Sequence, residues 1–162
     1  MIGPVVYLQL AESDWSANDL KWIEKGSMEW RRLGFDVRPL GEAIDPELRR
    51  LPDSARDSSP DMSAAIVIRI HLDESLGDRF YGLSSTTTRD IRINPILTSD
   101  DPDARLYELY GTIAHELGHH LLDVQHMPAG KQGLMASPRT SWHLQEDDLE
   151  FAYEATGREA LY

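Results

Sequence analysis

Residues 111–126 read GTIAHELGHHLLDVQH, and this stretch decides both the fold and the chemistry. Leu106, Leu109, Ile113, Leu117 and Leu121 recur at helical intervals through it, which predicts a helix with one apolar stripe. His115 and His119 lie off that stripe at positions i and i+4. Their imidazoles then share a face one turn apart and reach a single metal ion, with Glu116 beside it to take a proton from water. His126 is a further candidate. On an unbroken helix it would stand about 16 Å beyond His115, out of reach of one ion, so the helix has to stop between His119 and His126 if His126 is to join. Asp123 is suited to stopping it, because Asp is among the few non-glycine residues enriched at positive φ. Val124 behind it continues a helix poorly.

The stretch HELGHHLLDVQH, with Met135 downstream in GLMASP, resembles the metzincin clan of zinc peptidases, whose pattern is HExxHxxGxxH followed by a Met-turn. The segment GLMASPRTSWHLQEDDLEFAYEATG is similar to the matrixin branch, in which the Met-turn leads into a last helix opening with paired aspartates, here Asp147 and Asp148. There is one departure. Counted from His119, the family glycine falls on Leu122 and the third histidine on Gln125; one inserted residue moves these places to Asp123 and His126.

The resemblance implies a zinc-dependent endopeptidase. One Zn²⁺ would be held by His115, His119 and His126, with Glu116 as general base and Met135 as the apolar floor. Asp147 and Asp148 would buttress the Met-turn, although acidic residues in a helix's first turn also suit its dipole. Phe80–Thr88 would be an edge strand pairing with extended peptide, and Ala136–Trp142 would line the pocket for the residue after the scissile bond. Two rivals stand beside this reading. GTIAHELGHHLL also resembles the active helix of gluzincin-type cytosolic peptidases that cleave repressors, which would make Glu146 or Glu150 the third ligand. A non-catalytic peptide-binding zincin is the other, and the presence of Glu116 weighs against it. Among the remaining histidines, His120 is rotated about 100° from His119 and reads as a surface or supporting group. His143 is an alternative ligand or substrate contact, and His71 is structural.

Composition bounds the alternatives. A chain of 162 residues fits a single catalytic domain, 1–162, burying about two thirds of its surface. There is no Cys, which excludes disulfides, a thiol nucleophile and a cysteine-based latency switch. A net charge of −12 argues against nucleic acid and anionic membranes as partners, leaving a peptide or protein substrate and a monomer as the expectation. No stretch approaches the ~18 apolar residues of a membrane span. The opening MIGPVVYLQLAESDW lacks the basic and apolar regions of a signal peptide, which points to the cytoplasm, with a secreted mature form as the alternative.

The remaining elements follow from pattern. Val5–Leu10 reads as a first strand. Ser16 with Asp19 makes a helix start, the helix continues through Leu20, Ile23, Ser27 and Trp30, and Gly34 ends it. Phe35–Leu40 is a second strand, 41–61 a long loop with room for a short helix at 46–51, and Ala64–Leu72 the most apolar run and the central strand. Phe80–Thr88 and Ile91–Asn94 are further strands around a turn at Arg89-Asp90. A helix starts at Asp100 or Asp101 before Pro102, and a last one covers about Gln145 to Ala155. This order is similar to that of the metzincin fold, and the resemblance implies an α/β fold class, an α+β zincin. It would have a twisted mixed sheet of about five strands with an antiparallel edge strand, two long helices packed on it, a Met-turn and a C-terminal helix.

Overall fold

The structure is a computed structural model describing residues 5–10, 15–40, 66–77, 79–98, 106–123 and 125–158. Strand β1 (Val5–Leu10) leads into helix α1 (Ala17–Ser27). Ser16 caps that helix as its sequence predicts: Ser16 Oγ accepts from Asp19 N, and Asp19 Oδ2 accepts from Ser16 N, both at 3.0 Å. Two amides with no partner inside the helix are satisfied in this way. The helix was expected to run past Trp30, but it tightens into a 3-10 turn over Met28–Leu33 before Gly34 stops it at φ +79°. Then come β2 (Asp36–Leu40), β3 (Ile66–Leu72), β4 (Gly82–Ser85), β5 (Asp90–Ile93), α2 (Leu106–Leu122) and α3 (Glu146–Thr156).

The five strands form one mixed sheet in the order β2-β1-β3-β5-β4, parallel except for β4, which runs antiparallel to β5 at the edge. Val6, Leu8, Val37, Ile68, Ile70, Ile91 and Ile93 are fully or almost fully buried and belong to one core with Ile23, Trp30, Leu109, Ile113 and Leu117 of the helical layer. On the alternate positions Gln9, Arg69 and Arg92 are exposed. The period-two pattern in β3 thus reflects a strand that turns alternate side chains into this core, while Tyr7 of β1 is buried on the opposite face.

Helix α1 lies close against α2. A Cβ on Gly26 would stand 2.5 Å from the carbonyl oxygen of Tyr110, and Trp30 Nε1 donates to Ala114 O at 2.7 Å. The second contact pins α2 one residue before His115.

Phe80–Thr88 forms a shorter strand than its composition predicts. Asn94 Nδ2 donates to Gly77 O and Phe80 O at 2.7 and 3.0 Å, and Asn94 N donates to Tyr81 O at 2.8 Å. These bonds hold Gly77 and 79–81 outside the strand, and 86–89 turn the chain with Arg89 at φ +56°. The 41–61 loop, its possible helix, Ala64 and the helix start near Pro102 lie outside the described residues. No helix among the described residues is long and apolar enough to cross a membrane.

Candidate metal centre

Helix α2 ends at Leu122, and Asp123 takes the left-handed conformation at φ +52°. The chain turns back there, bringing His126 beside the helix it has just left. His126 Nε2 lies 3.2 Å from His115 Nε2, which is also 3.2 Å from His119 Nε2. Neighbouring donors in a tetrahedral zinc site with bonds of ~2.0–2.1 Å are separated by about 3.3 Å, which these two spacings match, and all three donors lie within 4.8 Å of one another.

The proton on His115 is fixed by its surroundings. Its Nδ1 donates to Leu134 O at 2.6 Å; a carbonyl can only accept, so Nε2 keeps a bare lone pair directed at the other rings. Burial pushes the His115 pKa down to about 4 and also lowers that of His126. Both rings are thereby kept in the neutral form that binds metal. Among the described residues these three histidines are the one group able to hold an ion, and no carboxylate belongs to it. Glu150 instead lies 4.0 Å from Lys131 Nζ, and Glu146 opens α3 beside Gln132 and Thr140. Among the described residues neither glutamate groups with the three histidines.

Met135 is fully buried and packs against α2 at Gly118, between His115 and His119 in sequence. A Cβ on Gly118 would meet Met135 Sδ and the Trp30 ring, each at 2.5 Å. The glycine inside the HELGH segment is therefore required by close packing between α2, Trp30 and the methionine. Asp148 holds the methionine turn from the other side: its carboxylate accepts from Leu134 N, Met135 N and Gln145 N at 2.7, 2.8 and 2.8 Å. Asp147 accepts from Gln132 N at 2.9 Å. Each aspartate also serves its own helix start, with Gln145 and Asp148 forming a reciprocal cap.

Glu116 faces a cleft beside these rings. Burial raises its pKa, and the hydrogen bond from Ser84 opposes that rise. Two cavities meet at Glu116. One, of about 380 Å³, runs along β4 past Leu83 and Ser84 to His119 and His126. The other, of about 560 Å³, is bounded by Tyr81, Thr112, Pro138 and Arg139. Arg139 packs over Gly111 and pairs with Glu108 at 2.7 Å. Of the segment Ala136–Trp142, Ser137, Pro138 and Arg139 reach the second cavity.

The other histidines are engaged elsewhere. His120 is more than a surface group, because its ring is partly buried and its Nε2 lies 3.2 Å from Asp90 O, tying α2 to β5. His71 pairs with Asp90 at 2.9 Å. His143 stands outside the metal group, with Nδ1 at 3.2 Å from the Tyr110 hydroxyl and 3.3 Å from Glu29 Oε2. Sequence reasoning missed Ser84, Trp30 and the Leu134 carbonyl. Gly118, an unfavourable residue in the middle of a helix, was a local sign of a close approach, as were Gly26 and Gly82.

No protein-family profile matches the sequence, and no curated protein does. Solved structures do match in shape. An archaemetzincin from Methanopyrus kandleri aligns over 96% of this chain and 97% of its own, with a TM-score of 0.59 and 16% identity. A zinc-dependent peptidase from Methanocorpusculum labreanum aligns over 91% and 99%, with a TM-score of 0.58 and 16% identity. The archaemetzincin from Archaeoglobus fulgidus, solved in complex with malonate, aligns over 90% and 98% with a TM-score of 0.51 and 13% identity. The chain has the fold of zinc-dependent peptidases.

Proposed function

We propose that the protein is a zinc-dependent endopeptidase of the metzincin type, with His115, His119 and His126 as ligands of one zinc ion and Glu116 as general base. The observation that carries this reading is the convergence of the three imidazoles beside a buried glutamate, in a cleft bordered by the edge strand β4. Met135 packed against Gly118 of the histidine helix, with the paired aspartates bonded to its turn, supports a metzincin arrangement with matrixin-like bracing.

Bound there, zinc supplies a Lewis acid that makes a water a better nucleophile near neutral pH and polarises a peptide carbonyl. The chain's own residues do the rest. Among the described residues strand β4 pairs with β5 on one side only, so its other edge offers amides and carbonyls to an extended peptide. That pairing lays the scissile bond across Glu116, between the two cavities. Glu116 takes a proton from the attacking water and returns it to the leaving amine, with no covalent enzyme intermediate.

The test uses a mixed peptide library with the zinc-loaded protein. Cleavage should stop with a chelator and return with added zinc. Glu116→Gln should keep its zinc and lose activity by about 10²–10⁴-fold, whereas His126→Ala should lose zinc affinity. A wild-type protein that binds no zinc, or a Glu116→Gln variant that cleaves at full rate, would overturn the assignment.

A further inference from the structure

The structure assigns Ser84 as the positioning residue of Glu116, an inference that rests on the function proposed above. Ser84 lies on β4, the strand that borders the cleft, and its hydroxyl reaches across to α2. Oγ is 2.7 Å from Glu116 Oε2 and 2.9 Å from Glu116 O. No bond to Oε1 occurs among the described residues, so the tether occupies one carboxylate oxygen and leaves the other for chemistry.

The local sequence makes this reach possible. Gly82 and Ser84 are two apart on a strand and so share one face, the face turned to α2. A Cβ on Gly82 would stand 2.7 Å from Thr112 Cγ2 and 3.2 Å from Glu116 Cγ. The missing side chain lets β4 press against the helix at the level of Glu116, which brings a side chain as short as serine within bonding distance. A larger residue at 82 would lift the strand and break the contact.

The target of the bond distinguishes this tether from ordinary strand–helix packing. A hydroxyl meant only to fasten β4 to α2 would need the main-chain carbonyl alone, whereas Ser84 also engages the group proposed to react. Glutamate has three side-chain torsions, and an untethered carboxylate would sample several positions in the cleft. A base misplaced by about 1 Å can cost about 10²-fold in rate. The hydroxyl also suits the work because it both donates and accepts: by turning about its C–O bond it can give its hydrogen to the carbonyl and accept one from the carboxyl, with no heavy atom moving. The same strand thus seats the peptide and holds the base.

The test compares Ser84→Ala, Ser84→Cys and Ser84→Thr in the zinc-loaded protein. Ser84→Cys keeps nearly the shape of serine but offers a weak donor, which separates loss of the bond from loss of packing. With zinc content and KM unchanged, kcat should fall about tenfold or more in Ser84→Ala and Ser84→Cys, and Ser84→Thr should restore most of it. Unchanged kcat in both hydroxyl-free variants of a protein that does cleave peptides overturns the inference and leaves the proposed function standing. A second readout does not depend on cleavage. In metal-free protein labelled with ¹³C at glutamate carboxyls, the Glu116 resonance, identified by its loss in Glu116→Gln, should shift in Ser84→Ala and return in Ser84→Thr. If no peptide is cut but the resonance moves, the proposed function fails and the tether stands. If the resonance stays in place, the tether is wrong.

Discussion

Asp123 carries a backbone conformation, φ +52°, that is costly for most side chains, and the position of His126 depends on it. Glycine enters this region without steric cost. Asp123→Gly should therefore keep the turn, with unfolding free energy changed by less than about 1 kcal/mol. Asp123→Val places a β-branched side chain at positive φ and should lose about 1–2 kcal/mol together with zinc affinity. Chemical denaturation and metal titration measure both, and a valine variant as stable as wild type would show that the turn forms without help from residue 123. Gly118 makes the opposite demand: even one methyl group would meet Met135 Sδ and the Trp30 ring at 2.5 Å. Gly118→Ala should lose about 1–3 kcal/mol through overpacking, despite alanine's better helix propensity. A gain in stability would refute the close contact. The motif letters made the histidines and Glu116 legible. They carried no trace of Ser84, whose partner is 32 positions away and on another element.

At the scale of elements, the methionine turn is fastened by a single buried carboxylate. Asp148 is fully buried and accepts three main-chain N–H groups. Asp148→Asn keeps the shape but turns an NH₂ group toward those amides, leaving donors without acceptors. The expected loss is about 2–4 kcal/mol, with weaker zinc binding as the Leu134 carbonyl shifts away from His115. Asp147→Asn, at the exposed rim, should change stability by about 0.5 kcal/mol or less. Equal effects of the two would mean that Asp148 does not anchor the turn. Elements were legible wherever one local rule determined them. Ser16 with Asp19 marked the start of α1, the apolar stripe marked α2, and Gln145 to Ala155 came within a residue of α3. The strand at Phe80–Thr88 was overextended because β-forming side chains were read without knowing that Asn94 ties up the carbonyls around Phe80. Such a constraint acts between segments, and no local pattern records it.

For the whole molecule, the burial of His115 sets how stability answers to pH. His115 has its pKa lowered to about 4 by burial, from 6.5 in the open chain. Above pH 6.5 neither the folded nor the unfolded form holds this proton. Between 6.5 and 4 the unfolded chain takes it up and the folded protein does not, so stability falls as pH falls through that window. His115 alone contributes about 3 kcal/mol to the decline in the metal-free protein. Glu116 and Asp148, raised by burial, oppose it, since a raised carboxyl loses stability as pH rises. The difference between wild type and His115→Ala across pH 4–7 isolates the histidine, and a flat difference would contradict its burial. Zinc should also raise the melting temperature, with stabilisation of about 4 kcal/mol at a thousandfold excess over Kd. Sheet order was less legible than element identity. That β1 lies between β2 and β3, with β5 inside β4, follows from pairings across long stretches of chain, and single-segment patterns do not encode them. The loop between His126 and Met135 has a consequence for engineering. Its neck is closed by Met127 N donating to Met135 O at 3.0 Å, while Pro128, Ala129, Gly130 and Lys131 stand in solvent. Extra chain inserted between Ala129 and Gly130 would emerge outside that knot, and each doubling of loop length costs only about 0.6 kcal/mol. A fluorescent tag or an affinity peptide housed there should leave zinc content and cleavage rate as they were, which makes this bulge a port for foreign sequence a few residues from His126.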